Sequence, residues 1–432
     1  MIDYGNTLLT GVQSLLALAA GWAAARWRAL DPEPAVAQLN LFVLRVCIPS
    51  LQVMLLAVKT DMRRPDNWRV LGAFLAWSLA LQALCAARQL AGRRRLDPAG
   101  LATASLLLSA NNTGILGPVV LEAALGPTYA PLGMLATVVL YFHQLPSAVV
   151  LYDMAQRRRP HHQQQQQPPH PDVRPLAVAS QERPPEPGGG GAADAGGWRR
   201  GGGGGGGSSA SPRARRGPDV VVCGGGGGSS GSLPAAAAAA ADKQRGAEGA
   251  ADAALAAAGA PLAQGPLLMM AQNPMCYSTA AALLLSCLGS AAVLEPSSPG
   301  HLRALGWVEP LLRWFAGCTA PVTLFCTGMW AQGADPARRP DARELATYMA
   351  LRAMLSPALM VLITRLCGLR GPPAVALVIL SILPVAQTAF VICKQYDTGT
   401  HLVTAAMVGS LLLMLPQLTA TLALLERWGL FS

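Results

Sequence analysis

In the middle of an apolar run, residues 111–118 (NNTGILGP) bring together Asn111, Asn112, Thr113, Gly117 and Pro118. A second interruption, ILPVAQTAF (382–390), places Pro384 and Gln387 near the other end of the chain. Amides and hydroxyls can hold an anion without carrying charge into an apolar medium. Proline removes a backbone donor and clashes with the preceding turn, and glycine weakens a helix further. A half-helix restarting after such a break points free N–H groups and a positive dipole end at whatever faces it. The chemistry these residues offer is recognition of a carboxylate. Bond-making chemistry has no support: the six histidines do not group, and the nine cysteines form no CxxC or Cys/His cluster. No enzyme, metal or cofactor is expected.

The elements that must position these groups follow from composition. Of 432 residues, 52% are hydrophobic and 13% charged, against about 25% charged in an average soluble domain. Apolar runs of membrane-spanning length fill both ends of the chain. Ten spans are expected, over 6–27, 36–58, 69–91, 101–123, 131–154, 268–290, 306–330, 346–367, 373–393 and 402–425. Between the halves lie Gln163–Gln167, Gly201–Gly207, Gly224–Gly228 and Ala235–Ala241. Such a stretch cannot bury enough apolar surface to offset its ordering entropy. The expected organisation is a first five-helix membrane repeat over 1–154, a disordered loop over 155–265, and a second repeat over 266–432.

Arg157, Arg158 and Arg159, with Arg199, Arg200, Arg213, Arg215 and Arg216 beyond them, put the loop in the cytoplasm and both termini outside. The net charge of +10 is then a property of cytoplasmic segments, and no nucleic-acid partner is expected. The long basic loop favours the plasma membrane over the endoplasmic reticulum. Five spans per half force two related halves to lie upside down to one another, the inverted-repeat plan of secondary transporters, whose substrate sites sit on broken helices near the midplane. The fold class expected is all-α integral membrane, with spans four and nine broken and crossing. Two further breaks are expected at RVCIPSL (45–51) in span two and GCTAPVTL (317–324) in span seven. For a single break, a kink that serves helix packing is the competing explanation; two breaks at equivalent places favour a site.

Several stretches together resemble the PIN-type auxin efflux carriers and their wider family. They are LNLFVLRVCIPSL (39–51), NTGILGP (112–118), NPMCYSTAAALLL (273–285), ALRAMLSPALM (350–360) and the run from Leu369 to Pro416, with Lys394 and Tyr396 as its Lys-x-Tyr. The resemblance covers both membrane halves. It implies two inverted five-helix repeats crossing at the prolines of spans four and nine. It also implies elevator-like transport of indole-3-acetate and related aromatic carboxylates, usually by a homodimer. Asn112, Pro118 and Pro384 are the positions that match the family's motif, with Tyr141 and Gln144 nearby; Ala389 stands where the family has a second proline.

The expected site therefore holds a carboxylate at Asn112 and the neighbouring N–H groups, with Asn111 and Gln387 beside it. Apolar walls come from Leu51 and Val322. The partners expected are a small organic anion, the bilayer, a second copy of the chain and kinases acting on the loop. Arg45, inside span two, either snorkels to the interface or lures anions. A dicarboxylate carrier, which needs a second cationic contact, and a membrane receptor or scaffold are the rival readings.

Overall fold

The computed structural model describes residues 3–93, 96–158, 273–296, 298, 300, 302–333 and 340–430. All lie in one compact unit formed by 1–160 with 240–432. The loop expected over 155–265 falls outside the described residues from 159 onward, but 155–157 are helical.

Among the described residues the architecture is helical. In the first half, α1 spans Tyr4–Arg26, α2 Pro34–Val58 and α3 Pro65–Arg93. Two half-helices follow, α4 (Pro98–Ser109) and α5 (Leu116–Leu125), and then α6 (Pro127–Arg157). The second half holds α7 (Pro274–Leu288), α8 (Val308–Gly333) and α9 (Ala342–Leu366). Another pair of half-helices, α10 (Pro372–Ile382) and α11 (Gln387–Gln395), precedes α12 (Thr400–Arg427). Six helices, α1, α2, α3, α6, α9 and α12, are long and apolar enough to cross a membrane; α4, α5, α7 and α10 are shorter apolar helices.

Starts are written into the chain. Asp97 accepts the N–H of Ala99 (3.2 Å) with Pro98 in the first turn, and Asn273 accepts that of Met275 (3.0 Å) ahead of Pro274. Both pairs combine a capping oxygen with a proline whose missing N–H would be unpaired anyway. Helix α10 is buried from Ala374 to Ile382, and α4 from Leu101 to Ser109. Helices that are apolar all round belong inside a bundle; the two segments leading into the breaks are therefore its centre. Helices α1 and α8 approach backbone to backbone. A Cβ on Gly21 would sit 1.9 Å from the Phe325 carbonyl oxygen, and one on Gly328 2.0 Å from that of Leu18. Small residues at a crossing are how apolar helices come this close.

Three expectations are corrected. The proline motif of span two does not break it: α2 stays helical through Pro49, with wide π turns at Val43–Cys47 and Val53–Val58. A turn with i→i+5 bonding absorbs the missing donor, as Ile48 N–H reaching Val43 O illustrates. Pro321 likewise lies inside continuous α8. The interruption of span four also falls earlier than its proline. It occupies 110–115, and Pro118 sits in the first turn of α5, where a proline is tolerated.

Candidate functional site

The two interruptions meet. Asn112 N–H donates to Pro384 O and Ala386 N–H to Ala110 O, both at 2.8 Å, around an antiparallel bridge between Asn111 and Val385. Each extended segment thereby satisfies backbone groups that the other's break has freed. Unpaired, such groups would cost several kcal/mol each in lipid. The crossing brings four half-helix ends to one place: the carbonyl ends of α4 and α10, and the amide ends of α5 and α11.

The carbonyl ends are capped by side chains. Asn111 Nδ2 donates to Leu380 O (2.8 Å) and Ser381 O (2.9 Å), and Ser356 Oγ also donates to Ser381 O (2.8 Å). Arg352 of α9, buried at 2% exposure, donates from Nη1 to Leu107 O (2.7 Å) and from Nη2 to Asn111 Oδ1 (2.6 Å) and Leu383 O. The amide ends differ. Ile115 and Ala386, which precede α5 and α11, provide no side-chain cap, and the Leu116 and Gly117 N–H groups that open α5 donate to Asn112 O at 3.1 and 3.3 Å.

Beside these amide ends lies a mainly apolar cavity. Asn112, Gly114 and Ile115 line it from the first break, and Ala386, Gln387, Thr388 and Val391 from the second. Its walls are α2 (Ala37 to Ile48), α6 (Thr137, Leu140, Tyr141), Met275 and Trp330. Among the described residues no charged side chain lines it. The Asn112 amide makes no hydrogen bond among the described residues, and the buried Thr388 hydroxyl has no partner there either. Gln387 is held by its nitrogen, donating to Thr323 O (3.1 Å) and Thr327 Oγ1. Trp330 leans on Phe390, ring centres 4.7 Å apart.

The cavity thus gathers Asn112, Tyr141 and Gln387 from the residues expected at the site. Asn111 faces the other way and ties α10 to α9. Pro384 belongs to the crossing backbone, while Pro118 packs on α6, where a Cβ on Gly133 would lie 2.7 Å from its nitrogen. Gln144 is buried and donates to Ser78 Oγ (3.0 Å). Leu51 and Val322 lie outside the cavity lining; α2 supplies residues nearer its start, and α8 supplies Trp330. Arg45 is exposed and also outside the lining.

Arg352, Trp330 and Thr388 were not anticipated. Arg352 carried a readable signal, being the lone charge between Glu344 and Arg365. No curated protein matches the chain. Residues 10–422 match the family model described as membrane transport protein. That match covers nearly the whole chain, and its apolar helices are those of an integral membrane protein. The chain belongs to the membrane transport protein family.

Proposed function

We propose that the protein is a carrier exporting an aromatic monocarboxylate of the indole-3-acetate type, driven by the membrane potential. The observation that carries this reading is the apolar cavity beside two helix amide ends that lack side-chain caps, with Asn112 and Gln387 on its lining. A carboxylate placed there accepts hydrogen bonds from backbone N–H groups and the free Asn112 amide, with both helix dipoles favouring its charge. Leu140, Ile48, Val391 and Trp330 offer its ring an apolar bed. A carboxylic acid of ordinary pKa, about 4, is an anion at cytoplasmic pH. An inside-negative potential then drives it outward by about 2.3 kcal/mol per 100 mV.

The architecture we infer is ten membrane segments in two inverted five-helix repeats, α4/α5 and α10/α11 being the broken fourth segment of each. The basic loop lies in the cytoplasm and both termini outside. The cavity lies between α2 and α8 on one side and the crossing on the other, a seam along which the crossing body slides in an elevator-like cycle. A dicarboxylate fits less well, because a second negative charge would find no cation among the described lining residues. Proteoliposomes offered labelled indole-3-acetate, benzoate and malate in parallel test the proposal. Saturable flux of the aromatic acids without malate flux is the expected result; binding without flux would make the protein a receptor.

A further inference from the structure

We infer that Arg352 is a specificity-determining residue that makes an uncharged cavity select anions, although it lies outside the lining. The inference rests on the proposed carboxylate site and adds the origin of its charge preference. Each end of a helix carries about half an elementary charge, positive at the amide end and negative at the carbonyl end. Two ends of each kind meet at this crossing, so the four together have almost no net charge.

Arg352 changes that balance. Its guanidinium sits on the carbonyl side, bonded to Leu107 O, Leu383 O and Asn111 Oδ1. It forms no ion pair among the described residues. The two negative ends are thereby neutralised, and the two positive ends, with no acidic side chain in their first turns, lie beside the cavity. The crossing as a whole acquires a charge of about +1. Asn111 and Asn112 are adjacent in an extended segment, so the guanidinium and the cavity share one stretch of backbone. Capping carbonyls does not by itself require a cation, since Ser356 and the Asn111 amide do so as neutral donors. Burying a charge is costly unless something compensates for it. Here the compensation is the pair of carbonyl ends, and the beneficiary is the anion opposite. With an effective dielectric of about 20, a unit charge on the order of 10 Å from an anion changes its affinity roughly tenfold.

The test compares binding of indole-3-acetate with that of its uncharged amide, indole-3-acetamide, to the full chain in nanodiscs. R352Q removes the charge and keeps donors; R352K keeps the charge and loses the fork. N111D places a carboxylate against Arg352 and cancels the charge without removing the arginine, while giving up the two bonds that Asn111 Nδ2 donates to Leu380 O and Ser381 O. The expected result is acid affinity about tenfold weaker in R352Q and N111D, with amide affinity nearly unchanged. R352K should keep acid affinity within about threefold of wild type. Melting curves show which variants are folded; if R352Q does not fold, N111D decides. Equal losses of acid and amide affinity in the folded variants would reduce Arg352 to a structural clamp and overturn the inference. Failure of the wild-type chain to bind the acid at all would instead reject the carboxylate site itself.

Discussion

Asn111 and Asn112 are chemically identical neighbours with different duties. The Asn111 side chain makes three hydrogen bonds, two donated to α10 carbonyls and one accepted from Arg352. Replacing it with alanine leaves Leu380 O without its side-chain partner and removes one bond each from Ser381 O, which keeps Ser356 Oγ, and Arg352 Nη2, which keeps Leu383 O. Asn111→Ala should therefore destabilise the protein by about 1–3 kcal/mol, seen as a lower melting temperature in detergent. The Asn112 side chain bonds nothing among the described residues, so its removal leaves no orphaned partner. Asn112→Ala should shift stability by less than about 1 kcal/mol yet abolish saturable transport of the acid. Unchanged transport in that variant would exclude Asn112 from substrate binding.

Each interruption depends less on its own proline than on the segment it meets. Pro384 occupies extended backbone locked by the bonds at Asn112 and Ala386. Pro384→Ala should therefore leave the crossing in place and cost only about 0.4–1 kcal/mol, chiefly through the freer unfolded chain. A melting-temperature loss of a much larger size would show that the proline itself enforces the break. The α1–α8 contact is far less forgiving. A Cβ on Gly328 falls 2.0 Å from Leu18 O, and backbone cannot yield as a side-chain tip can. Gly328→Leu should force the two helices apart and abolish a monodisperse folded peak on size exclusion, whereas substitution at Gly72, which has open space around its Cβ position, should not.

For the molecule as a whole, an uncoupled carrier of a monoanion must move net charge. At equilibrium, 100 mV corresponds to about 2.3 kcal/mol, or roughly a 50-fold gradient of the acid. Imposing a potassium diffusion potential on proteoliposomes should change the final accumulation of indole-3-acetate by about that factor. An accumulation ratio indifferent to voltage would mean that a counter-charge travels with the acid and that the uncoupled mechanism is wrong. Membership of a transporter family and apolar helices of spanning length frame this experiment without fixing the substrate.

Sequence alone determined the helical membrane class and the location of both interruptions. Lipid leaves backbone few options, and Asn, Gly and Pro inside an apolar run advertise where the regular one fails. The expected limits of α2, 36–58, and of α12, 402–425, differ from the observed Pro34–Val58 and Thr400–Arg427 by only two residues at most. The same logic overreached at Pro49 and Pro321, because a proline signals lost hydrogen bonding but not whether a π turn or continued helix will absorb the loss. Which polar groups face the cavity was decided only by tertiary structure. The single bridge to Val385 fixes this segment so that the Asn111 side chain reaches α10 and Arg352 while Asn112 lines the cavity. For Arg45 of α2 and Arg352 of α9, helix rotation against neighbours was decisive: Arg45 is exposed, whereas Arg352 turns to the crossing and bonds carbonyl ends from both halves of the chain.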